Sequence, residues 1–392
     1  MKNLIKGVVI ASVIFTSCKE KEDDKTDLGA LKSATKVTYA NIAFANYSDA
    51  HSEAKELKIA IDAFVANPSE STQNSAKTAW KEAREPYGLT EAFRFSEGPI
   101  DDSDGPEGLL NAWPLDEGYI DYTASSDSGI IERTASFPSI SASILEGANE
   151  EGGETNVAIG YHAIEFLLWG QDDADVALKT PGSRSYTDYS TDENAARRGE
   201  YLKVCANLLV DQLLELKEEW NPSETNNFRK EFLAMDNDAA LQIILTGIGI
   251  LSKGELAGER IFVALNNQDQ EDEHSCFSDN THRDIILNAQ GIRNIYVGEY
   301  EGVDGTVTKG TSLEDVIKEV NGDLASEMSA LSKESIENVE GIEIPFDFAL
   351  TQEVVGGNGP IMQSVLTLQD QGDKIAEIAA ALGYTISVEL PE

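Results

Sequence analysis

The sequence predicts a mainly α protein: two packed helical bundles with irregular insertions and at most a small β-hairpin. Three observations carry this. Between Glu200 and Trp220, the apolar residues Leu202, Cys205, Leu209, Leu213, Leu216 and Trp220 recur every three or four positions, the stripe of an amphipathic helix. Ile361, Val365, Leu368, Ile375, Ile378 and Leu382 repeat the pattern near the carboxyl end, with Gly383 placed as a stop. Strand-like alternation is confined to Ile295 to Val307 around Asp304-Gly305, enough for one hairpin. Further helices are expected over Val37 to Ala66, ended by Pro68; Ser71 to Phe95, interrupted at Pro86 and Gly88; Asn156 to Trp169; Ala239 to Leu265; and Ser312 to Leu331. Polar, glycine-rich stretches from Gly98 to Gly108 and from Gly147 to Glu154 supply the irregular insertions. Asn221-Pro222-Ser223-Glu224 divides a first half, 37–220, from a second, 221–392. Each apolar stripe needs a facing helix to bury it, so each half makes a bundle.

Ahead of these helices, Lys2 and Lys6 precede the apolar run Val8 to Phe15, too short to span a bilayer but suited to a signal peptide. It ends Phe15-Thr16-Ser17-Cys18, which resembles a bacterial lipoprotein signal with Cys18 as the lipidated residue. Residues 1–18 are thus expected to be an address, and 19–36, opening with Lys19-Glu20-Lys21-Glu22-Asp23-Asp24, an acidic tether. The expected location is the cell envelope, as a lipoprotein facing the periplasm or exposed on the outer membrane. No later stretch is expected to match a transmembrane helix in length and apolarity. Of the two later cysteines, Cys205 lies in an apolar stripe and is expected to be a buried free thiol. Cys276 lies in a polar loop, so a disulfide is permitted but not required by the spacing.

Charge narrows the partners. With 30 Lys+Arg against 70 Asp+Glu, the formal net charge is -40, which repels nucleic acid and leaves cations, neutral ligands and basic peptides open. No G-x-S-x-G elbow or phosphate-binding G-x-x-x-x-G-K-[ST] loop occurs, and Gly247-Ile248-Gly249 lacks the rest of a dinucleotide fingerprint.

Chemistry concentrates in Gly160-Tyr161-His162-Ala163-Ile164-Glu165-Phe166-Leu167-Leu168-Trp169. A separation of three puts His162 and Glu165 on one face of a helix that is otherwise apolar and therefore buried. A buried carboxylate needs a partner: a shared metal ion, the imidazole itself or an arginine. The zinc-protease motifs H-E-x-x-H and H-x-x-E-H both require a second histidine, and Phe166 stands where the inverted motif would place it. One helix offers at most two ligands here, and mixed imidazole and carboxylate donors suit iron or manganese as well as zinc. A second polar block, Glu271 to His282, holds two of the four histidines; in it, Ser278 or Asp279 is placed to cap the helix that follows. Gly254 and Gly258 stand four apart in an apolar helix, which suggests close helix approach, with Glu259 and Arg260 as buried polar groups.

In combination and in this order, Gly160-x-His162-x-x-Glu165, Gly258-Glu259-Arg260 and the block from Glu273 to His282 resemble the imelysin family, its iron-regulated protein A branch in particular. Further matches are Trp80 to Asp101, with Arg84, Glu91 and Arg94, and Asn111 to Asp116. The resemblance covers the chain from about Val37 onward and implies an envelope protein of two related helical bundles around a buried GxHxxE site. It also implies two activities that conflict, since the family is classed with metallopeptidases yet related to the periplasmic component of a ferrous-iron uptake system. On this resemblance His162 and Glu165 are the expected metal-holding residues, and Glu91, Glu259, Arg260, His274, Ser275, Asp279 and His282 their neighbours. The favoured expectation is binding of iron, another metal such as zinc, or a small iron-bearing ligand, with an outer-membrane uptake partner. The alternatives are a zinc-type metallopeptidase and a metal-free structural or receptor-partner lipoprotein.

Overall fold

The computed structural model describes residues 27–102, 105–172 and 175–390. The expected signal segment, Cys18 and the start of the acidic tether lie outside them. Helix α1, Leu28–Ala66, begins where Asp27 accepts a hydrogen bond from the Ala30 amide, earlier than the sequence suggests. Residues 28–36, expected as tether, are helical because they have somewhere to pack. Leu28 and Leu31 rest against the core, and Lys36 is buried with its ammonium donating to the Met235 carbonyl at 2.7 Å.

Helix α2, Glu70–Thr90, opens with a reciprocal cap between Ser69 and Thr72. It runs through Pro86, where an interruption was expected, and the Pro86 carbonyl accepts from the Asn46 amide at 2.8 Å. A single 3₁₀ turn, Glu91–Phe93, follows. The polar segments then wander through short helical pieces to α3, Gly160–Trp169, and α4, Ala195–Glu219. Helices α1, α2, α3 and α4 pack together as the first bundle.

The second bundle starts with α5, Asn237–Ile250, which continues without a break as a π-helix over Leu251–Val263. The whole rod, Asn237–Asn267, is long and apolar enough to cross a membrane, contrary to the expectation from sequence. It is instead a core element here, with Leu241, Ile244, Leu245, Ile248 and Leu256 fully buried among other helices. Helix α6, Thr281–Val297, leads into two short antiparallel strands, β1 (Glu299–Glu301) and β2 (Val307–Lys309), with Tyr300 opposite Thr308. The expected hairpin exists, although Ile295 to Val297 finish a helix. The stretch Ser312 to Leu331 is two helices, α7 (Leu313–Val320) and α8 (Gly322–Glu340), because extended Asn321 ends one and its side chain caps the other at the Leu324 amide. Helices α9 (Phe346–Gln352) and α10 (Pro360–Ala381) complete the bundle.

One large apolar core runs through both bundles, and a smaller one lies wholly within the second. Cys205 and Cys276 are both buried free thiols. The bundles meet where α2 lies against α6, and the approach is close. A Cβ on Gly291 of α6 would stand 2.8 Å from the Leu89 carbonyl oxygen of α2, whereas one on Gly258 would meet nothing nearer than 3.6 Å. Of the two glycines expected to mark a close approach, Gly254 is approached by Leu390 near the carboxyl end, whose Cγ would lie 2.9 Å from a Cβ there, and Gly258 is not; the close approach of two helices is at Gly291. Replacing Gly291 by Ala should cost about 1–3 kcal/mol in urea unfolding, because backbone has to move. The same exchange at Gly258 should leave stability level or raise it.

Candidate functional site

Helix α3 is buried along its whole length, and its first residue explains the motif glycine. Gly160 has φ +89°, and a Cβ there would stand 2.7 Å from the Leu110 carbonyl oxygen. Only glycine accepts both conditions. Two positions on, the His162 Nδ1 lies 3.0 Å from Oε2 of Glu165. The other carboxylate oxygen, Oε1, accepts from the backbone N–H of Ser278 at 3.0 Å and from its hydroxyl at 2.6 Å. Burial pushes the Glu165 carboxyl up to about 8, against the two Ser278 hydrogen bonds, which pull it down. Burial, with His274 and Arg84 nearby, holds His162 well below the ordinary histidine range. Its second nitrogen, Nε2, is buried and has no hydrogen-bond partner among the described residues.

The ring of His274 packs edge-on against His162 with centroids 4.6 Å apart, and the Trp113 ring lies 4.9 Å from His162. His274 Nδ1 is 2.9 Å from Oδ2 of Asp284, which also accepts from the Ser275 hydroxyl at 2.5 Å. The other oxygen of Asp284 takes two hydrogen bonds from Arg84, at 2.9 and 3.2 Å. Arg84 donates to Asn111 Oδ1 at 2.6 Å, and the amide nitrogen of Asn111 lies 3.3 Å from Glu91 Oε1 and 3.4 Å from His274 Nε2. The Asp284 carboxylate accepting at Nδ1 and the Asn111 amide donating at Nε2 assign the His274 proton to Nδ1, leaving Nε2 an acceptor. Beyond Glu91, Arg260 donates to its Oε2 at 2.7 Å, to Glu255 at 3.0 Å and to Asn288 at 2.6 Å. Arg94 adds a second pairing to Glu91 at 3.2 Å.

These pairings outweigh desolvation in one direction and not in the other. Burial favours a neutral Glu91, yet Arg260 and Arg94 bring it down to about 2; burial likewise opposes ionisation of Asp284, but Arg84 and His274 hold it far below the usual carboxylate range. His274, buried and facing Arg260, falls to about 4 despite Asp284. Both imidazoles are therefore neutral at pH 7. A cavity of about 460 Å³ reaches this network, with His274, Arg260 and Trp113 among its walls and the exposed carboxylates Glu150, Glu154 and Glu259 around it. A larger hollow, about 710 Å³, lies along Leu214 to Glu219 and Asn226 to Glu231 and touches none of these groups.

Of the residues expected from sequence, His162, Glu165, Glu91, Arg260, His274 and Ser275 come together in this buried network. Glu259 does not join it: it is an exposed residue of the cavity wall, and Glu255 takes the pairing with Arg260. Asp279 turns away toward Asp172 and Asp347, and His282 is half-buried with Nδ1 on the Asp279 carbonyl at 3.2 Å. Neither Ser278 nor Asp279 caps α6. The Ser278 hydroxyl is engaged by Glu165, and Asn280 holds the cap position without a side-chain bond. Trp113, Glu255, Asp284 and Asn288 were not expected as site residues. Asp284 and Asn288, four apart on the buried side of α6, carry the same signal that exposes His162 and Glu165.

The imelysin family model matches residues 43–379. The chain belongs to the imelysin family. Among curated proteins it is 23% identical over 304 residues to iron-regulated protein A of Synechococcus elongatus, covering 75% of this chain and 70% of the relative. Among solved structures, an iron-regulated protein A precursor from Parabacteroides distasonis superposes with a TM-score of 0.71 at 21% identity, over 90% of this chain and 95% of that one. An imelysin-like protein from Psychrobacter arcticum gives 0.63 at 12% identity, over 92% and 98%. The mainly helical fold is thus the imelysin fold, and a metal ion is chemistry consistent with the family.

Whether this site fits a metal turns on its donors. His162 offers one buried, uncommitted nitrogen, while Glu91 and Asp284 are held by arginines and both oxygens of Glu165 are hydrogen-bonded. Among the described residues, three ligand atoms lie within 4.8 Å of one another elsewhere, at Asp172, Asp279 and Asp347. The network therefore fits an ion held through His162, with further donors from the ion's own ligands, and not a three-residue zinc site.

The Glu91 pairing carries a pH signature. Its folded value, about 2, lies below the ordinary 4.5, so its contribution is complete above pH 4.5 and is lost as pH falls toward 2. Replacing Glu91 by Gln should cost about 3–5 kcal/mol at pH 7, since Arg260 is left buried without its counter-charge. In urea unfolding across a pH series, the gap between variant and wild type should narrow between pH 4.5 and 2.

Proposed function

We propose that this imelysin binds iron, another transition metal or a small iron-bearing ligand at the buried network, with His162 Nε2 as the protein's donor. One observation carries the reading: a neutral, fully buried imidazole nitrogen with no partner, whose ring is held by Glu165. An imidazole whose Nδ1–H donates to a carboxylate is oriented to coordinate through Nε2, and because burial pushes Glu165 up to about 8, a metal at Nε2 releases the proton that Glu165 holds at pH 7. Glu165 then acts by holding the ring, supported by the two Ser278 donors, and not as a ligand itself. A bound metal would supply Lewis acidity and affinity for oxygen and nitrogen donors of its ligand.

Binding is favoured over peptide hydrolysis by the state of the carboxylates. A metallopeptidase needs a carboxylate able to take a proton from water, and Glu91, Asp284 and Glu165 are each committed to a cation or to two donors. Acidic residues around the cavity suit attraction of a cation. The name of the Synechococcus relative supports an iron-linked setting for this chain as well. In that setting Cys18 anchors the protein to an envelope membrane by lipid, and an outer-membrane uptake protein is its partner; the support for both is the amino-terminal sequence and the family.

The test is elemental analysis of the full chain equilibrated with ferrous iron, zinc or manganese and desalted. Near-stoichiometric metal is expected in the wild type and none in His162→Ala, while Glu165→Gln should weaken affinity roughly 10–100-fold. Equal metal in wild type and His162→Ala would sink the reading. A His162→Ala protein that melts lower while the wild type retains no metal would favour the structural role.

A further inference from the structure

Outside the network just described, Asp172, Asp279 and Asp347 bring three carboxylate oxygens within 4.8 Å of one another. They come from separate parts of the chain: the exit of α3, the bend between Ser278 and α6, and the first turn of α9. Asp172 and Asp347 are each 5% exposed and Asp279 is half-buried. Proximity of acids alone would say little, but Oδ1 of Asp347 is buried and has no hydrogen-bond partner among the described residues. The backbone N–H groups of Asp347 and Phe348 ease this carboxylate, but a desolvated oxygen left without a well-formed hydrogen bond, in a group of three carboxylates, is still costly.

The nearby ammonium groups of Lys81 and Lys179 attract Asp279 and Asp347 from a distance, but each makes its direct bonds elsewhere. Lys81 donates to the Ser278 carbonyl at 3.0 Å, while Lys179 pairs with Glu343 at 2.7 Å and lies 3.6 Å over the Phe348 ring. Among the described residues neither makes an ion pair with Asp279 or Asp347. A fourth carboxyl, Glu273, is buried close by, and burial together with repulsion from Asp347, Asp279 and Asp172 raises it well above the usual range.

We propose that Asp172, Asp279 and Asp347 form a site for a hard divalent cation of the calcium type. All the donors are oxygens, the ligand class of calcium and magnesium. Calcium at ~2.4 Å from each donor tolerates oxygens up to about 4.8 Å apart, whereas magnesium at ~2.1 Å would require them to close to about 4.2 Å. The ion would clamp the bend that carries Ser278, whose N–H and hydroxyl hold Glu165, to the exit of the helix that carries His162. This site is separate from the one proposed at His162 and stands or falls without it.

The experiment strips the full chain with EDTA, removes the chelator and titrates calcium alone, by calorimetry and by thermal melting. One equivalent of calcium should bind and raise the melting temperature. Asp347→Asn and Asp279→Asn should each weaken binding by at least about tenfold, and His162→Ala should leave it unchanged. In cation-free buffer both Asn variants should melt no lower than the wild type, because each removes one of three repelling charges. The proposal is overturned by no heat and no stabilisation up to about 10 mM calcium, beyond the weakest extracellular sites. Undiminished binding in both Asn variants, or both melting lower than wild type in cation-free buffer, would overturn it too.

Discussion

Every charge buried where the two bundles meet has to be matched, and the matching of Arg84 and Arg260 determines the rest of the site. A guanidinium does not shed its proton, so each must bring a carboxylate inside with it. Arg84 of the first bundle is answered by Asp284 of the second, and Arg260 of the second by Glu91 of the first. The pairs are reciprocal: each bundle contributes one cation and one anion. Separating the bundles would leave both with unpaired charge on an apolar face, so the ion pairs fix their register as well as their contact.

That network takes up nearly all of the hydrogen-bonding capacity around it. Asn111 accepts from Arg84 and offers its amide nitrogen to Glu91 and His274, Asp284 serves Arg84, Ser275 and His274, and Ser278 serves Glu165. Among the described residues of this cluster, His162 Nε2 is left over as the one uncommitted imidazole nitrogen, beside Nε of Arg94, whose guanidinium is still paired with Glu91. Burial keeps both imidazoles neutral, which is the state able to bind a metal, and the packing of Trp113 and His274 against His162 leaves its ring little room to turn. A polar group so enclosed and unmatched is expensive in a purely structural role, and that cost favours a ligand over a strut.

Much of this was legible in the sequence, for reasons that also explain what was not. The stripes of α4 and α10 and the polar pair in α3 follow from helical periodicity, so the fold and His162 with Glu165 could be read directly. Glu255 could not. On an α-helix, residues five apart lie about 140° apart around the axis, so the spacing does not pair Glu255 with Arg260. Over Leu251–Val263 the chain is instead a π-helix with i→i+5 hydrogen bonds, which brings Glu255 under Arg260 and turns Glu259 out to solvent. Asp279 was misplaced for a different reason. It has φ +55°, so the chain reverses between Ser278 and Asp279 and sends adjacent side chains into two different clusters. Backbone departures of this kind leave no periodic trace.

The distribution of charge then separates the two kinds of ion the protein faces. With 70 acidic against 30 basic residues the protein attracts cations without discrimination, while around His162 the charges of Arg84, Arg94 and Arg260 are balanced by Asp284, Glu91 and Glu255. A hard cation takes oxygen donors and depends on electrostatic attraction, which is why the calcium-type site is proposed at the three aspartates and not at the His162 network. A transition metal gains from bonding to imidazole in addition to charge, and that extra affinity is the basis for proposing it, and not a hard ion, at His162.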